Sequence, residues 1–559
     1  MHDPSFVPAY IRATHLVNII VLSLLMRSGL QILSAFPRLY FGDNTGPGKE
    51  WIRFTNRYVP REDPDQIYKG IVTEEVLPRP ALPPLPRRLT PFRLALWIPR
   101  ALGALVWALT RTVVITQAPQ EVLQERIHTS LDEELDAPPW LALPGHKNLG
   151  LGRHWHFFCL LFWIANGLVY LVGLIITGEW LRLVPTSWTI FPHAWSSLVA
   201  YIHLRLAPPL PGQPFNALQK LAYFSIVCLL PPFQIATGLA MSPALAARFP
   251  WYIKLFGGRQ AARSFHFLAM LVFIAFVIVH TFMVILHGYG TEVARIMWGR
   301  PEHRLLTIGL SIVTFIGIVL LHVAATKLSL DHPRAVQVAL GKVVHAMTTL
   351  AFGWEGSREE HKRSQISPYF WVNGHPPVEE SYRAMVRRGF KDWRLEVKGL
   401  VKDPLCLSLD DLRAMPKETQ ITKHNCIQGW SDIGAWGGVS MRRIIELCKP
   451  LPQARYVVFH AMDNKSTSER RAEGGGYFYG TLNMRLARHH QTILAHEFNG
   501  RPLSVPYGAP LRLRVETQLG FKMVKWLRSI EFIDDYRKIG RGMGGWREDY
   551  QYYDTQAGI

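Results

Sequence analysis

The chain has 559 residues, 48% of them hydrophobic, and its 62 Lys and Arg outweigh 42 Asp and Glu to give a formal charge of +20. That length holds several domains, and the basic excess is scattered instead of gathered into one run, which argues against nucleic acid and for membrane lipid head groups and an anionic cofactor as partners. Five cysteines, Cys159, Cys228, Cys406, Cys426 and Cys448, show no CxxC spacing, which argues against a zinc site or a secreted disulfide framework.

Five apolar runs, about 11 to 35, 157 to 177, 219 to 240, 264 to 287 and 305 to 326, each come close to the ~20 residues that cross a bilayer as a helix. The first is long and carries Arg27, which reads as a retained span and not a cleaved signal. A connection over 36–153 follows, with an extended Pro-rich tract from Pro78 to Pro86. Within it, Leu94 to Thr110 is apolar but interrupted by Arg100, which suits a helix lying in the membrane interface. Five crossings put the N-terminus and everything after residue 330 on opposite sides of the membrane. Arg182, Arg205, Arg295 and Arg300 in the loops of one side nearly balance Arg248, Lys254 and Arg259 on the other, so the positive-inside rule leaves the orientation open.

Ionisable groups inside spans are costly and mark function by default. His266 and His280 share the fourth span, 14 residues apart, within ~40° of one face and ~21 Å apart along the axis. The alternating threading of the spans places His15 at the level of His280, and His156 at the level of His266. Two bis-histidine haem sites are therefore expected, His156 with His266 and His15 with His280, a ligation that suits electron transfer because it leaves no open position. In the second span His154 is the alternative to His156, since only helix register separates them. His193, His203, His287 and His322 read as ordinary snorkelling or hydrogen-bonding residues.

Residues 329–368 read as a polar linker with an amphipathic helix over Val336 to Leu350. After Trp393 the pattern changes to short alternating strands, Trp393–Val397, Arg455–Phe459 and Leu511–Val515, with short helices at Leu409–Met415 and Ser440–Cys448, a mixed α+β arrangement. Cys426 stands out here. It is flanked by His424, Asn425 and Gly429 and is expected in a turn from a strand to a helix, where a thiolate can be presented to a cavity. Arg512 and Arg514 alternate on a later strand, and Lys522 and Lys525 follow past Gly520, so cationic donors converge as a phosphate-bearing cofactor requires.

Two resemblances follow from particular tracts. Arg153-His154-Trp155-His156, Asn216 to Tyr223, Thr237 to Ala240 and Gly257 to Arg263 resemble the membrane cytochrome b subunits that serve hydrogenases, formate dehydrogenases and thiosulfate reductases, over roughly residues 8 to 328. That resemblance implies two haems b and exchange of electrons with the quinone/quinol pool. Residues 369 to 550 resemble the sulfite oxidase family of molybdopterin enzymes through Ile421–Gly438, Leu494–Leu503 and Tyr507–Ile530. It implies that Cys426 is the protein ligand to molybdenum, that Arg512, Lys522 and Lys525 stand near the pterin and its phosphate, and that Asn373 is an early cofactor contact. After the cysteine comes Ile427-Gln428-Gly429-Trp430 in place of the Ala-Gly-Asn-Arg of sulfite oxidases, and Tyr507 stands where those enzymes have histidine. The chain is thereby closer to the branch containing the bacterial methionine sulfoxide reductase.

The expected architecture is an all-α transmembrane bundle of five spans (1–328) followed, after the linker, by an α+β sulfite-oxidase-like molybdopterin-binding domain (369–559). The expected function is a membrane-bound, molybdenum-dependent oxidoreductase that carries out oxygen-atom transfer on a small sulfoxide, N-oxide or sulfite-like substrate. The resemblance implies a bacterial-type inner membrane and favours the periplasmic side for the catalytic domain. The competing reading is a non-catalytic haem b conduit or sensor whose C-terminal domain docks a redox partner.

Overall fold

The computed structural model describes residues 6–43, 45–46, 49–55, 85–86, 90, 93–94, 97–98, 101, 129–203, 205–352, 360–468, 474–555 and 557–558. Five helices among them are long and apolar enough to cross a membrane: α1 Ala9–Ser34, α2 Leu149–Thr177, α4 Ala217–Ala240, α5 Arg259–Leu286 and α7 Arg304–Asp331. Shorter helices, α3 Ile190–Ile202 and α6 Tyr289–Trp298, lie between spans. The chain is an integral membrane protein, and its spans fall where the apolar runs predict. The interface helix expected at 94–110 and the Pro-rich tract at 78–86 fall almost wholly outside the described residues.

Backbone chemistry explains the one irregular span. Pro231 and Pro232 lack the N–H groups that an α-helix needs one turn earlier, and the residues before them, Ser225–Leu229, open into a π segment inside α4. Beyond α7, helix α8 (Pro333–Phe352) packs back along α2.

The C-terminal half holds two five-stranded sheets. One contains β5 (Lys417–Asn425), β6 (Ser431–Ser440), β9 (Thr492–Phe498), β10 (Arg501–Pro502) and β11 (Arg512–Val515). The other runs β4 (Leu405–Ser408), β3 (Arg394–Gly399), β12 (Leu527–Ile533), β7 (Tyr456–Asn464), β8 (Tyr477–Asn483), with β12 and β3 parallel. A large apolar core that includes Leu395, Val457, Phe459, Leu494 and Ile530 fills the space beneath them. Every residue of β6 is buried. Gly438 permits its close pairing with β9, since a Cβ there would lie 2.0 Å from the Leu494 carbonyl oxygen.

The segment after α1 links the two halves. Its two-stranded ribbon, β1 (Arg38–Leu39) with β2 (Ile52–Arg53), lies against the start of α5, where Trp51 Nε1 donates to Ser264 Oγ at 2.8 Å. Arg38 is buried between Glu133 (2.9 Å) and Glu50 (3.1 Å), and Thr45 Oγ1 donates to Asp432 at 2.7 Å. From α8, Arg334 Nη2 donates to the carbonyls of Glu548 and Asp549 at 2.8 and 2.7 Å. The catalytic half is therefore seated on the ends of the spans by contacts from two separate chain segments.

Candidate functional site

Cys426 immediately follows β5 and opens the turn to β6. The expected strand-to-helix turn is corrected: the partner element is a strand, because the Gly-rich and β-branched run from Ser431 to Ser440 is buried on both faces between β5 and β9, where a helix has no room. The turn closes with Cys426 N donating to the Trp430 carbonyl at 3.1 Å, and Gly429 sits at φ +112°, a conformation that needs glycine. Cys426 is 3% exposed. Burial pushes its thiol up to about 11, against the pull of the Gln428 backbone, Arg547, Asn373 and Arg259. A thiol held neutral in this way becomes a thiolate only when a metal replaces its proton.

Asn373 and Arg512 come together with that sulfur. Asn373 Nδ2 lies 3.4 Å from Cys426 Sγ and donates to Gln428 Oε1 at 3.0 Å. Arg512 and Lys525 line the same narrow cavity as Cys426, with His424 and Arg547. The two neighbouring arginines of β11 differ. Arg514 is spent on Glu516, with two contacts of 2.7 and 2.8 Å, whereas among the described residues Arg512 donates only to the Tyr507 carbonyl at 2.9 Å and has a buried Nε without a partner. Among the same residues Lys525 Nζ likewise hydrogen-bonds only to the carbonyls of Pro506 (2.9 Å) and Gly374 (3.3 Å). Burial, then neighbouring cations, hold Arg512 and Lys525 well below their ordinary values. Lys522 is not part of this cluster: its ammonium is buried against Glu548.

His424 completes the floor. Its Nδ1 accepts from Arg514 Nη1 at 3.0 Å, and burial followed by the charges of Arg514, Arg512 and Lys525 holds it well below the usual imidazole range. A Cβ at Gly520 would lie 2.3 Å from His424 Nε2, so the ring and the backbone touch. Sequence reasoning missed Gln428, Arg547 and Ser130 as parts of this wall. Ser130 donates to Gln428 Oε1 at 2.8 Å from 298 positions away, a separation that no local motif reveals.

In the membrane, His156 lies beside His266 and His15 beside His280. His156 and His266 have ring centroids 6.4 Å apart at 67°, and His15 and His280 are 6.2 Å apart at 85°. Two imidazoles bonded to one metal at about 2 Å per nitrogen leave ring centroids roughly 6 Å apart. In the first pair Nδ1 is occupied: that of His266 donates to the Gln234 carbonyl at 3.1 Å, and that of His156 meets Ser28 Oγ at 3.2 Å. Among the described residues no hydrogen bond engages Nε2 of either ring, which leaves that nitrogen available to a metal. Gly29 and Gly238 flank the pair, where a Cβ would stand 3.6 and 3.3 Å from the rings of His156 and His266. His154 does not join them. Its Nδ1 donates to the Gly150 carbonyl at 2.8 Å and its Nε2 meets Asp554 at 3.0 Å.

The two centres meet at the first turns of α5. Gln260 Nε2 donates to the Gly429 carbonyl at 3.0 Å, Arg259 Nη1 donates to Asn425 Oδ1 at 3.2 Å, and His266 follows on the same helix. One cavity of about 1190 Å³ reaches from the His156 and His266 rings to Cys426.

Two family models match this architecture. One described as an oxidoreductase molybdopterin binding domain covers residues 383–539, which include Cys426, Arg512, Lys522 and Lys525. One described as prokaryotic cytochrome b561 covers residues 88–300, which include His156, His266 and His280. The chain thus joins a cytochrome b module to a molybdopterin-binding domain of sulfite-oxidase-like α+β fold.

Among individual proteins, it is 33% identical over 153 residues to the protein-methionine-sulfoxide reductase catalytic subunit MsrP of Campylobacter jejuni, across 26% of this chain and 51% of that one. The MsrP of Xanthomonas campestris is 33% identical over 188 residues, across 33% and 58%. A protein of Azospira oryzae, provisionally named protein-methionine-sulfoxide reductase subunit YedZ1, is 35% identical over 160 residues, across 29% and 54%. The chain therefore spans between half and three-fifths of the length of these relatives.

The residues fit both groups. Two buried cations without a salt-bridge partner among the described residues, beside a buried thiol, suit an anionic molybdenum cofactor, and paired imidazoles flanked by glycines suit a planar haem.

Proposed function

We propose that this chain is a membrane-bound molybdenum oxidoreductase that reduces a sulfoxide with electrons drawn from quinol through two haems b. The reading is supported above all by one contact: the Cys426 turn rests on the first turn of the helix that carries His266. A molybdenum–molybdopterin group in the Cys426 cavity supplies oxygen-atom transfer as a two-electron step, and haems b divide that step into single electrons.

The chain's own residues have separable roles. Cys426 is the metal ligand, with Asn373 donating toward its sulfur. Arg512 and Lys525 neutralise the cofactor's anionic end, and Lys522, paired with Glu548, supports the turn after Gly520 from behind. His156 with His266, and His15 with His280, hold two haems ~21 Å apart on the α5 axis. The reaction balances as sulfoxide plus two electrons and two protons giving thioether and water, with quinol supplying both. The MsrP relatives favour a sulfoxide over an N-oxide or sulfite. We place the catalytic half on the periplasmic face of a bacterial-type inner membrane.

The test is metal and haem analysis of the purified full chain, followed by quinol-reduced haem challenged with methionine sulfoxide. One molybdenum and two haems per chain, with haem reoxidation by the sulfoxide, is the expected result. Haem without molybdenum overturns the proposal and favours an electron conduit.

A further inference from the structure

The second and fifth helices share a short pattern that ligation alone does not explain: Arg153 precedes His156, and Arg263 precedes His266, by three residues each. Residues three apart share a helix face with ~4.5 Å between them along the axis. Each guanidinium therefore lies on the catalytic-domain side of its imidazole. Both arginines line the cavity that contains the two rings.

Neither guanidinium has a carboxylate within salt-bridge distance among the described residues. Arg153 makes no hydrogen bond or ion pair to any described residue, and its Cζ lies 5.3 Å from the Phe157 ring centroid. Arg263 is 9% exposed and gives its terminal nitrogens to the carbonyls of Arg38 (2.9 Å) and Phe36 (2.6 Å), with no carboxylate partner among the described residues. The sole carboxylate among the described lining residues is Asp554, already engaged by His154 at 3.0 Å. Arg259 of α5 and Lys342 of α8 add to a cationic wall. Guanidinium groups withdrawn from water without an anion are costly, so the wall implies a negatively charged occupant.

We propose that Arg153 and Arg263 each bind one propionate of the haem held by His156 and His266, an inference that rests on the haem reading above. Haem b carries two carboxylates on one edge, and two Arg-x-x-His segments present two forks beside that edge. The pairing fixes the rotation of the haem in its plane, with its propionate edge toward the Cys426 turn.

Redox titration of the purified full chain, followed optically, tests this. In the unmodified protein the midpoint potential of this haem is expected to be independent of pH between about 6 and 8, because paired propionates stay ionised. Arg153→Gln removes a positive charge that disfavours ferric iron, so the potential of one haem falls, by about tenfold in the equilibrium ratio or ~59 mV for one electron. The freed propionate then titrates and makes that potential pH-dependent, while Arg153→Lys restores most of the shift. Arg263→Gln should do the same, and Arg153→Gln keeps the test sound if Arg263 variants misfold, since Arg153 has no hydrogen bond to a described residue to lose. Unchanged potentials in both Gln variants with both haems retained, or a strongly pH-dependent potential in the unmodified chain, overturn the inference. A preparation that binds no haem at all overturns the underlying reading instead.

Discussion

Arg512 and Arg514 stand two residues apart on one strand and both lie over the Trp436 ring, at 4.7 and 4.2 Å, yet their substitution should have opposite consequences. Arg512→Ala removes a donor from the cofactor's anionic end. A hydrogen bond to a charged group is worth about 1.5–3 kcal/mol, so the hold on molybdopterin weakens ~10- to 100-fold while the protein still folds. Arg514→Ala strands Glu516 in the core, at a cost of about 3–5 kcal/mol to folding. Molybdenum content of the folded fraction, set beside the yield of folded protein, checks the pair; equal folding losses for both sink the distinction. Cys426→Ser belongs with Arg512: molybdenum-dependent turnover disappears and both haem spectra persist.

Asp432 makes a pH prediction at the same scale. Burial pushes its carboxyl up to about 7, although Thr45 and the Trp371 backbone hydrogen-bond to it and pull the other way. An unfolded aspartate titrates near ~3.9, so between about pH 4 and 7 the folded chain keeps a proton the unfolded chain has lost. Its contribution to stability is full below that window, declines as pH rises through it and is level above it. Asp432→Asn should therefore lessen the loss of thermal stability between about pH 5 and pH 8. The same loss in variant and parent refutes this.

At the scale of elements, Gly238 in α4 and Gly29 in α1 stand against the ligand rings. Gly238→Leu fills the space beside His266, and the haem-to-protein ratio should drop from two to one. Gly309→Leu, at a position in α7 with open space around it, should leave the ratio unchanged. The spans were legible because hydropathy and helix length are local properties, and the histidine levels followed from counting crossings. The partner of the Cys426 turn was not: glycines and tryptophans from Gly429 to Gly438 carry no helical period, and only pairing with β9 explains why they form a strand. Ser130, Gln428 and the spending of Lys522 on Glu548 depend on contacts between distant segments, which composition and spacing do not encode. Asn373, by contrast, was singled out by its tract, and its Nδ2 lies 3.4 Å from the cysteine sulfur.

For the whole molecule, the seating of the catalytic half on the start of α5 makes the two proposed haem positions unequal. Arg259 and Gln260 tie the Cys426 turn to the helix that holds His266, whereas His280 lies 14 residues further along it, ~21 Å away. On the proposed route, electrons bound for the Cys426 cavity pass the nearer site whichever side quinol docks on. His266→Ala should thus leave one chemically reducible haem, at His15 and His280, that sulfoxide reoxidises orders of magnitude more slowly than in the parent. His15→Ala also leaves one haem, the nearer one, and sulfoxide should still reoxidise it rapidly. Stopped-flow absorbance on the two variants, each reduced with dithionite and mixed with methionine sulfoxide, separates these outcomes. Equal reoxidation rates mean that the two haems do not lie in series with the molybdenum site, and that the contact between the Cys426 turn and α5 is an anchor without being the electron route.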